Sequence, residues 1–305
     1  MNNFNQAERI CELVFSELGK CWHLFTPENN PIIFRNEADF KRGMWIFGIA
    51  VLLCPQIRVI TFELMSNHIH VTVAGEEYLI REFFALFKSL LTKFLREDGR
   101  AGVLKDFECK LRPITGLIDA RNVIVYSNRN GFLVHPEHSP FSYPYGANSY
   151  YFNPAAKELY EVSKRKVSNW EIERVVKTHA FRSIDRAVYA VGDTLSPMCF
   201  CDIAAGERLF KGASNYFFNL SRNIESQKKI AQDIGEGIFY TDDELYSTVM
   251  ALSLKQFKLP PSQLPKEAKL QFANLLHFDY NASNKQIYRI LKIDLSALNA
   301  MFPNR

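Results

Sequence analysis

Along the first 150 residues the spacing of apolar positions changes several times, and each change predicts an element. Residues 22–25 read as a short strand and 40–53 as a mostly apolar helix. Residues 56–64 are β-branched and aromatic over a strand's usual length. The polar pair Ser66-Asn67 marks a turn, so 68–74 is a second strand that pairs with 56–64 as a hairpin. From 77 to 96, Ile80, Phe83, Phe84, Phe87, Leu91, Phe94 and Leu95 recur at helical spacing, with Gly99 placed to end the helix. An aromatic stripe at this spacing is core rather than a base-stacking surface. A strand over 108–114 and a helix over 117–130 follow.

Residues 131–151, rich in Pro, Gly, Ser, His and Tyr, read as a long ordered loop that places a domain boundary near Asn153. Helical periodicity dominates the rest, broken at Ser196-Pro197, 235–237 and Pro260-Pro261. Near the end, 265–277 is a helix, Ser283-Asn284-Lys285-Gln286 a capping box opening a second, and 295–302 a third. The expected fold is therefore α+β: residues 1–152 form an antiparallel sheet with flanking helices. Residues 153–305 form an all-α accessory domain with a helix-turn-helix-like segment over 265–302.

Composition agrees with a globular chain: 305 residues, 47% apolar and 23% charged, with only 14 Gly and 13 Pro, which excludes collagen, solenoid and linker-rich classes. The longest apolar run, 44–54, falls short of the roughly 20 residues that cross a bilayer, and the start lacks a signal-peptide pattern. A cytoplasmic protein without a membrane partner is expected. Six cysteines, the closest pair spaced C-x-C, match no zinc-finger or thioredoxin spacing and read as reduced core residues. Net charge is +4, and the surplus lies in the second half: residues 1–150 carry 16 basic and 16 acidic side chains, the remainder 21 and 17. That is a mild pull toward an anionic partner.

Candidate chemistry starts at His68-Ile69-His70-Val71-Thr72-Val73. Alternation turns Ile69, Val71 and Val73 one way and both histidines the other, so two imidazoles converge on one surface. They are either ligands for one divalent ion or an exposed pair of strand histidines, and spacing alone does not choose. Tyr126 and Asn130, four apart on the predicted helix, share a face.

The whole phrase Phe62-Glu63-Leu64-Met65-Ser66-Asn67-His68-Ile69-His70-Val71 resembles the Met-Pro-Asn-His-hydrophobic-His signature of HUH single-tyrosine transposases, closest to the REP-associated branch. Tyr126-Ser127-Asn128-Arg129-Asn130-Gly131 is similar to that family's Tyr-Ile-x-Arg-Asn-Pro, and the register continues into Tyr143-Pro144-Tyr145 and Tyr150-Tyr151-Phe152. Upstream, Trp22-His23-Leu24 and Ile33-Phe34-Arg35-Asn36-Glu37-Ala38-Asp39-Phe40 resemble the opening strand and the entry to the first helix, so the likeness spans about 20–152. It departs from the family at Ser66 and Gly131 (usually proline), Tyr145 (usually tryptophan), Gly146-Ala147 (usually two serines) and Asn130, where the better-studied members carry Gln.

The resemblance implies an HUH endonuclease core of ferredoxin-like type. His68 and His70, with Asn130, would hold Mg²⁺ or Mn²⁺. Tyr126 would attack a DNA phosphodiester to form a 5′-phosphotyrosine, as a metal-dependent endonuclease and strand transferase. The partners expected are single-stranded or hairpin DNA and a second copy of the chain in a homodimer. Lys110, Arg112 and Arg129 are candidate phosphate contacts, with ordinary surface charge as the other reading. Ser296 and Asn299 are the only polar base readers on the last helix, which lacks Lys and Arg. The charge runs Ser163-Lys164-Arg165-Lys166 and Lys228-Lys229 meet either phosphate or solvent, and His135-Pro136-Glu137-His138 reads as solvated loop. Tyr143, Tyr145, Tyr150 and Tyr151 are rival nucleophiles in a turn-rich stretch. Two other functions compete: a host-retained DNA-binding regulator with the same fold and little or no catalysis, and a replication-initiation or relaxase-type nickase.

Overall fold

The structure is a computed structural model and describes residues 2–134, 142–177, 179–222, 230–235 and 240–303. The chain divides into two compact units, 1–235 and 236–305. The first is α+β. It opens with a helix that precedes every element the pattern predicts, α1 (Asn2–Leu18), and continues β1 (Cys21–Phe25), α2 (Glu37–Leu52), β2 (Arg58–Leu64), β3 (Ile69–Ala74), α3 (Glu77–Glu97), β4 (Lys110–Ile114) and α4 (Leu117–Val134). The four strands form one sheet in the order β2-β3-β1-β4, with every neighbouring pair antiparallel.

Cross-strand register decides what each face carries. Phe62 lies opposite Val71, and Glu63 opposite His70, which is in turn opposite Phe25; His23 lies opposite both Thr72 and Arg112. One face is thus apolar and meets α2 and α3: Phe47 stacks on Phe62 at 4.6 Å and meets Phe83 and Phe87 edge-on. The predicted aromatic stripe of α3 is core. Truncating Phe47 to Ala removes all these contacts, a cost of about 3–5 kcal/mol for a fully buried ring. The opposite face carries Thr61, Glu63, His70, Thr72 and His23, and α4 covers it, so all five polar side chains are buried. The histidines are therefore not the exposed pair that alternation also allowed.

After α4 the Tyr-rich segment lies along the outer edge of β2. Leu64 N–H donates to Tyr145 O at 2.8 Å and Ala147 N–H to Phe62 O at 3.1 Å. Tyr143 Oη donates to Leu64 O and Tyr151 Oη to Ile60 O. The expected boundary near Asn153 is not a boundary between compact units, because the segments beyond it return to the sheet. These are α5 (Pro154–Ser163), β5 (Arg165–Lys166), α6 (Asn169–Val176), β6 (Tyr189–Val191), β7 (Thr194–Leu195), α7 (Ile203–Arg208) and α8 (Ala213–Arg222). Asp202 N–H donates to Val59 O at 2.7 Å, Trp45 Nε1 to Asp193 O at 2.9 Å, and Arg121 Nε to Leu209 O at 2.6 Å. Gly48 on α2 makes the seat: a Cβ there would overlap Leu195 and Phe200. Nor is the second half all-α, since β5-β6-β7 form a small antiparallel sheet. Its strands of two or three residues are too short to show a period of two.

The second unit is helical: α9 (Asp242–Phe257), α10 (Lys266–Phe278), α11 (Asn284–Leu291) and α12 (Leu295–Met301). The predicted capping box is present, with Ser283 Oγ accepting from Gln286 N–H and Gln286 Oε1 accepting from Ser283 N–H. No helix among the described residues is long and apolar enough to cross a membrane.

Candidate active site

The turn between β2 and β3 positions the first imidazole. Ser66 O accepts from the N–H groups of Ile33 and Phe34, and Asn67 Nδ2 donates to Glu28 O and Asn30 O. With its nitrogen held there, Asn67 directs Oδ1 at His68 Nδ1, 2.8 Å away. A carbonyl oxygen only accepts, so His68 carries its proton on Nδ1 and its lone pair on Nε2. His68 lies in the turn, one residue before β3; His70 lies inside the strand. The two rings meet edge to face at 5.0 Å.

From the other side α4 contributes Tyr126 and, one turn on, Asn130. The Tyr126 ring stands perpendicular to His70 at 5.5 Å, and Asn130 Nδ2 lies 3.1 Å from His70 Nε2. His68, His70, Tyr126 and Asn130 are 8%, 0%, 6% and 8% exposed, so they form one buried cluster between sheet and helix. Burial disfavours imidazolium: His68 is pushed down to about 4, and His70 well below the ordinary histidine value, helped by its histidine neighbours. Both are neutral ligands near pH 7.

Two members were not singled out from the sequence. His23 on β1 is fully buried, its Nε2 3.2 Å from His70 Nδ1 and its ring 6.1 Å from Tyr126. Desolvation, with Arg112 nearby, lowers it to about 3. Glu63 on β2 accepts the Gly131 N–H at Oε2, 2.9 Å, while Oε1 is buried with no hydrogen-bond partner among the described residues. Burial raises its carboxyl well above the usual range, so it is held protonated. A lone charge in the apolar run of β2 was the available signal for Glu63; His23 needed the strand pairing. A Cβ at Gly131 would overlap both the Tyr143 ring and Glu63 Oε1, which accounts for glycine there.

Whether the cluster suits a divalent cation is a question of donors. His68 offers a lone pair at Nε2, His70 is neutral, and the Asn130 amide stands beside it, so two imidazoles and an amide are available on one side of the sheet. Among the described residues no three His, Cys, Asp or Glu side chains are grouped to hold an ion, so such a site needs the amide as third donor. That donor set fits a cation bound partly by its substrate.

The other candidates are scattered. Lys110 is exposed at the start of β4. Arg112 is engaged by Asp119, through both carboxylate oxygens, and by Asp233 at 3.2 Å. Arg129 is buried on α4, out of reach of a surface phosphate. Both C-terminal base readers are occupied: Ser296 Oγ bonds Asp294, and Asn299 Oδ1 accepts from Asn284 Nδ2 at 2.9 Å. Tyr143 and Tyr151 are tied to β2 carbonyls, Tyr145 stacks on Phe40 at 4.3 Å, and Tyr150 Oη lies 3.4 Å from Ser196 Oγ. Residues 135–138 and Lys228-Lys229 lie outside the described residues. No family model, no curated protein and no solved structure matches the chain.

Proposed function

We propose that the protein nicks and rejoins single-stranded DNA through Tyr126, in the manner of the HUH single-tyrosine transposases that its motifs resemble. One observation carries the reading: a tyrosine and an amide one helical turn apart on α4 both meet the same strand histidine, at 5.5 Å between rings and 3.1 Å between nitrogens. The element order β1-α2-β2-β3-α3-β4 and the sheet order β4-β1-β3-β2 also suit a ferredoxin-like split βαβ core with the tyrosine helix added.

In this reading His68, His70 and Asn130 hold Mg²⁺ or Mn²⁺. When bound, the cation neutralises the scissile phosphate and stabilises charge developing on its oxygens. Tyr126 Oη, giving up its proton, bonds to the phosphorus; the bond to the 3′ oxygen breaks and that oxygen takes up a proton. The products are a 5′-phosphotyrosine and a free 3′-hydroxyl, and reversal with another 3′-hydroxyl joins strands without ATP. The sheet and α4 hold the phenol against His70, supplying orientation that an unactivated phenol lacks. A homodimer remains part of the proposal.

A second reading, a DNA-binding regulator of the same fold with little or no turnover, is favoured by burial. Tyr126, Arg129 and Asn130 are all covered, so a phosphodiester reaches them only if α4 moves. One experiment separates the two. The protein is incubated with labelled single strands and hairpins, with and without Mn²⁺, and run on a denaturing gel. A Mn²⁺-dependent covalent adduct that disappears in Tyr126→Phe supports the nuclease. Retained adduct in Tyr126→Phe overturns the nucleophile, and metal-independent binding without adduct favours the regulator.

A further inference from the structure

His70 stands between two side chains that together determine where its proton resides. We propose that His23 is a positioning residue: it holds His70 as the Nδ1–H tautomer, so that His70 Nε2 keeps a lone pair for a divalent cation. The purpose assigned to that lone pair rests on the reading above; the tautomer itself does not.

A neutral imidazole has one N–H and one acceptor nitrogen. On one side of His70, Asn130 presents its Nδ2 to Nε2 at 3.1 Å, and an amide nitrogen only donates. Nε2 is then the acceptor, and the proton sits on Nδ1, where it is donated to His23 Nε2, 3.2 Å away. His23 must in turn carry its own proton on Nδ1. That atom is buried with no hydrogen-bond partner among the described residues. Leaving a buried donor unmet costs free energy. An apolar residue at this wholly buried strand position would avoid the cost, as Leu24 does next to it. What an apolar residue would not do is accept from His70.

The comparison with His68 sharpens the assignment. There Asn67, its nitrogen occupied by two backbone carbonyls, accepts from Nδ1 and leaves Nε2 bare. Two unlike partners, an asparagine from the turn and a histidine from β1, thus impose the same tautomer on both imidazoles. Partners of this kind fix ring orientation and ligand basicity in metal sites.

The test uses imidazole ¹⁵N labelling of the full chain. Long-range ¹H–¹⁵N spectra of the metal-free protein read the protonated nitrogen of His70, assigned by comparison with His70→Ala, and calorimetry with Mn²⁺ alone reads affinity. Expected are Nδ1–H at His70 in the wild type and in His23→Gln, whose Oε1 replaces the acceptor, with Mn²⁺ affinity in His23→Gln within about threefold of wild type. In His23→Phe the Nδ1–H signature is lost and Mn²⁺ affinity falls about 10–100-fold. Nε2–H at His70 in the wild type overturns the proposal, as does a His23→Phe protein that keeps both signature and affinity. Nδ1–H with no Mn²⁺ binding in the wild type keeps the tautomer assignment and removes the cation from the proposed function.

Discussion

Glu63 and Gly131 join the sheet to the tyrosine helix: the carboxyl oxygen of one accepts the backbone N–H of the other at 2.9 Å, in a place closed to water. The approach is close enough that no side chain fits at 131. Gly131→Ala therefore requires Tyr143 or Glu63 to move, and the expected cost is about 1–3 kcal/mol, read as a lower urea midpoint. Glu63→Leu, which strands the N–H, should cost about as much. Glu63→Gln keeps a neutral acceptor and should be mild. An unchanged midpoint in Gly131→Ala would show that the helix does not sit this close.

Stability should pass through a maximum near pH 6.5 in EDTA. His23 and His68 titrate in the folded chain at about 3 and 4, below the ordinary 6.5, so unfolding takes up protons and stability falls as pH drops below 6.5. Glu63 is the opposite case. Its folded value is raised above the ordinary 4.5, so its contribution is complete below 4.5 and is lost as pH rises toward the folded value. Between 4.5 and 6.5 the several histidines outweigh the single carboxyl; above 6.5 only Glu63 remains. Chemical denaturation from pH 4 to 8 checks this, and Glu63→Gln should abolish the decline on the alkaline side alone. A decline that persists in Glu63→Gln assigns it to another group.

Tyr216 on α8 closes a buried ring of hydrogen bonds with α4. Asn128 Nδ2 donates to Tyr216 Oη at 2.8 Å, Tyr216 Oη to Asn148 Oδ1 at 2.5 Å, and Asn148 Nδ2 to Asn128 O at 3.0 Å. Tyr216→Phe leaves two buried groups unmet, an expected loss of about 1–3 kcal/mol. Thermal melting should show it, whereas a wild-type melting temperature would mean that α8 contributes packing alone.

In the second unit a cap should outweigh an ion pair. Ser283→Ala removes the N-cap of α11 and should cost about 1 kcal/mol. Arg289, paired with Asp242 across an exposed surface, should be worth about 0–1 kcal/mol, toward the low end and weaker in salt. Melting both variants at low and high ionic strength ranks them; the reverse order would contradict the assignment.

By itself the sequence determined the elements of the first 130 residues and the i, i+4 placement of Tyr126 and Asn130, because helical and strand periods are local properties of side-chain spacing. It also located the Ser283 cap, a short-range pattern of the same kind. Tertiary structure alone decided that His23 lies beside His70, that Glu63 reaches Gly131, and that 154–222 belongs to the same compact unit as the sheet. Those facts depend on strand order and on which face a later segment covers, and both are set by long-range packing. A polar strand face looks solvent-exposed until α4 is known to lie on it, which is why buried histidines and an exposed pair share one pattern in the chain.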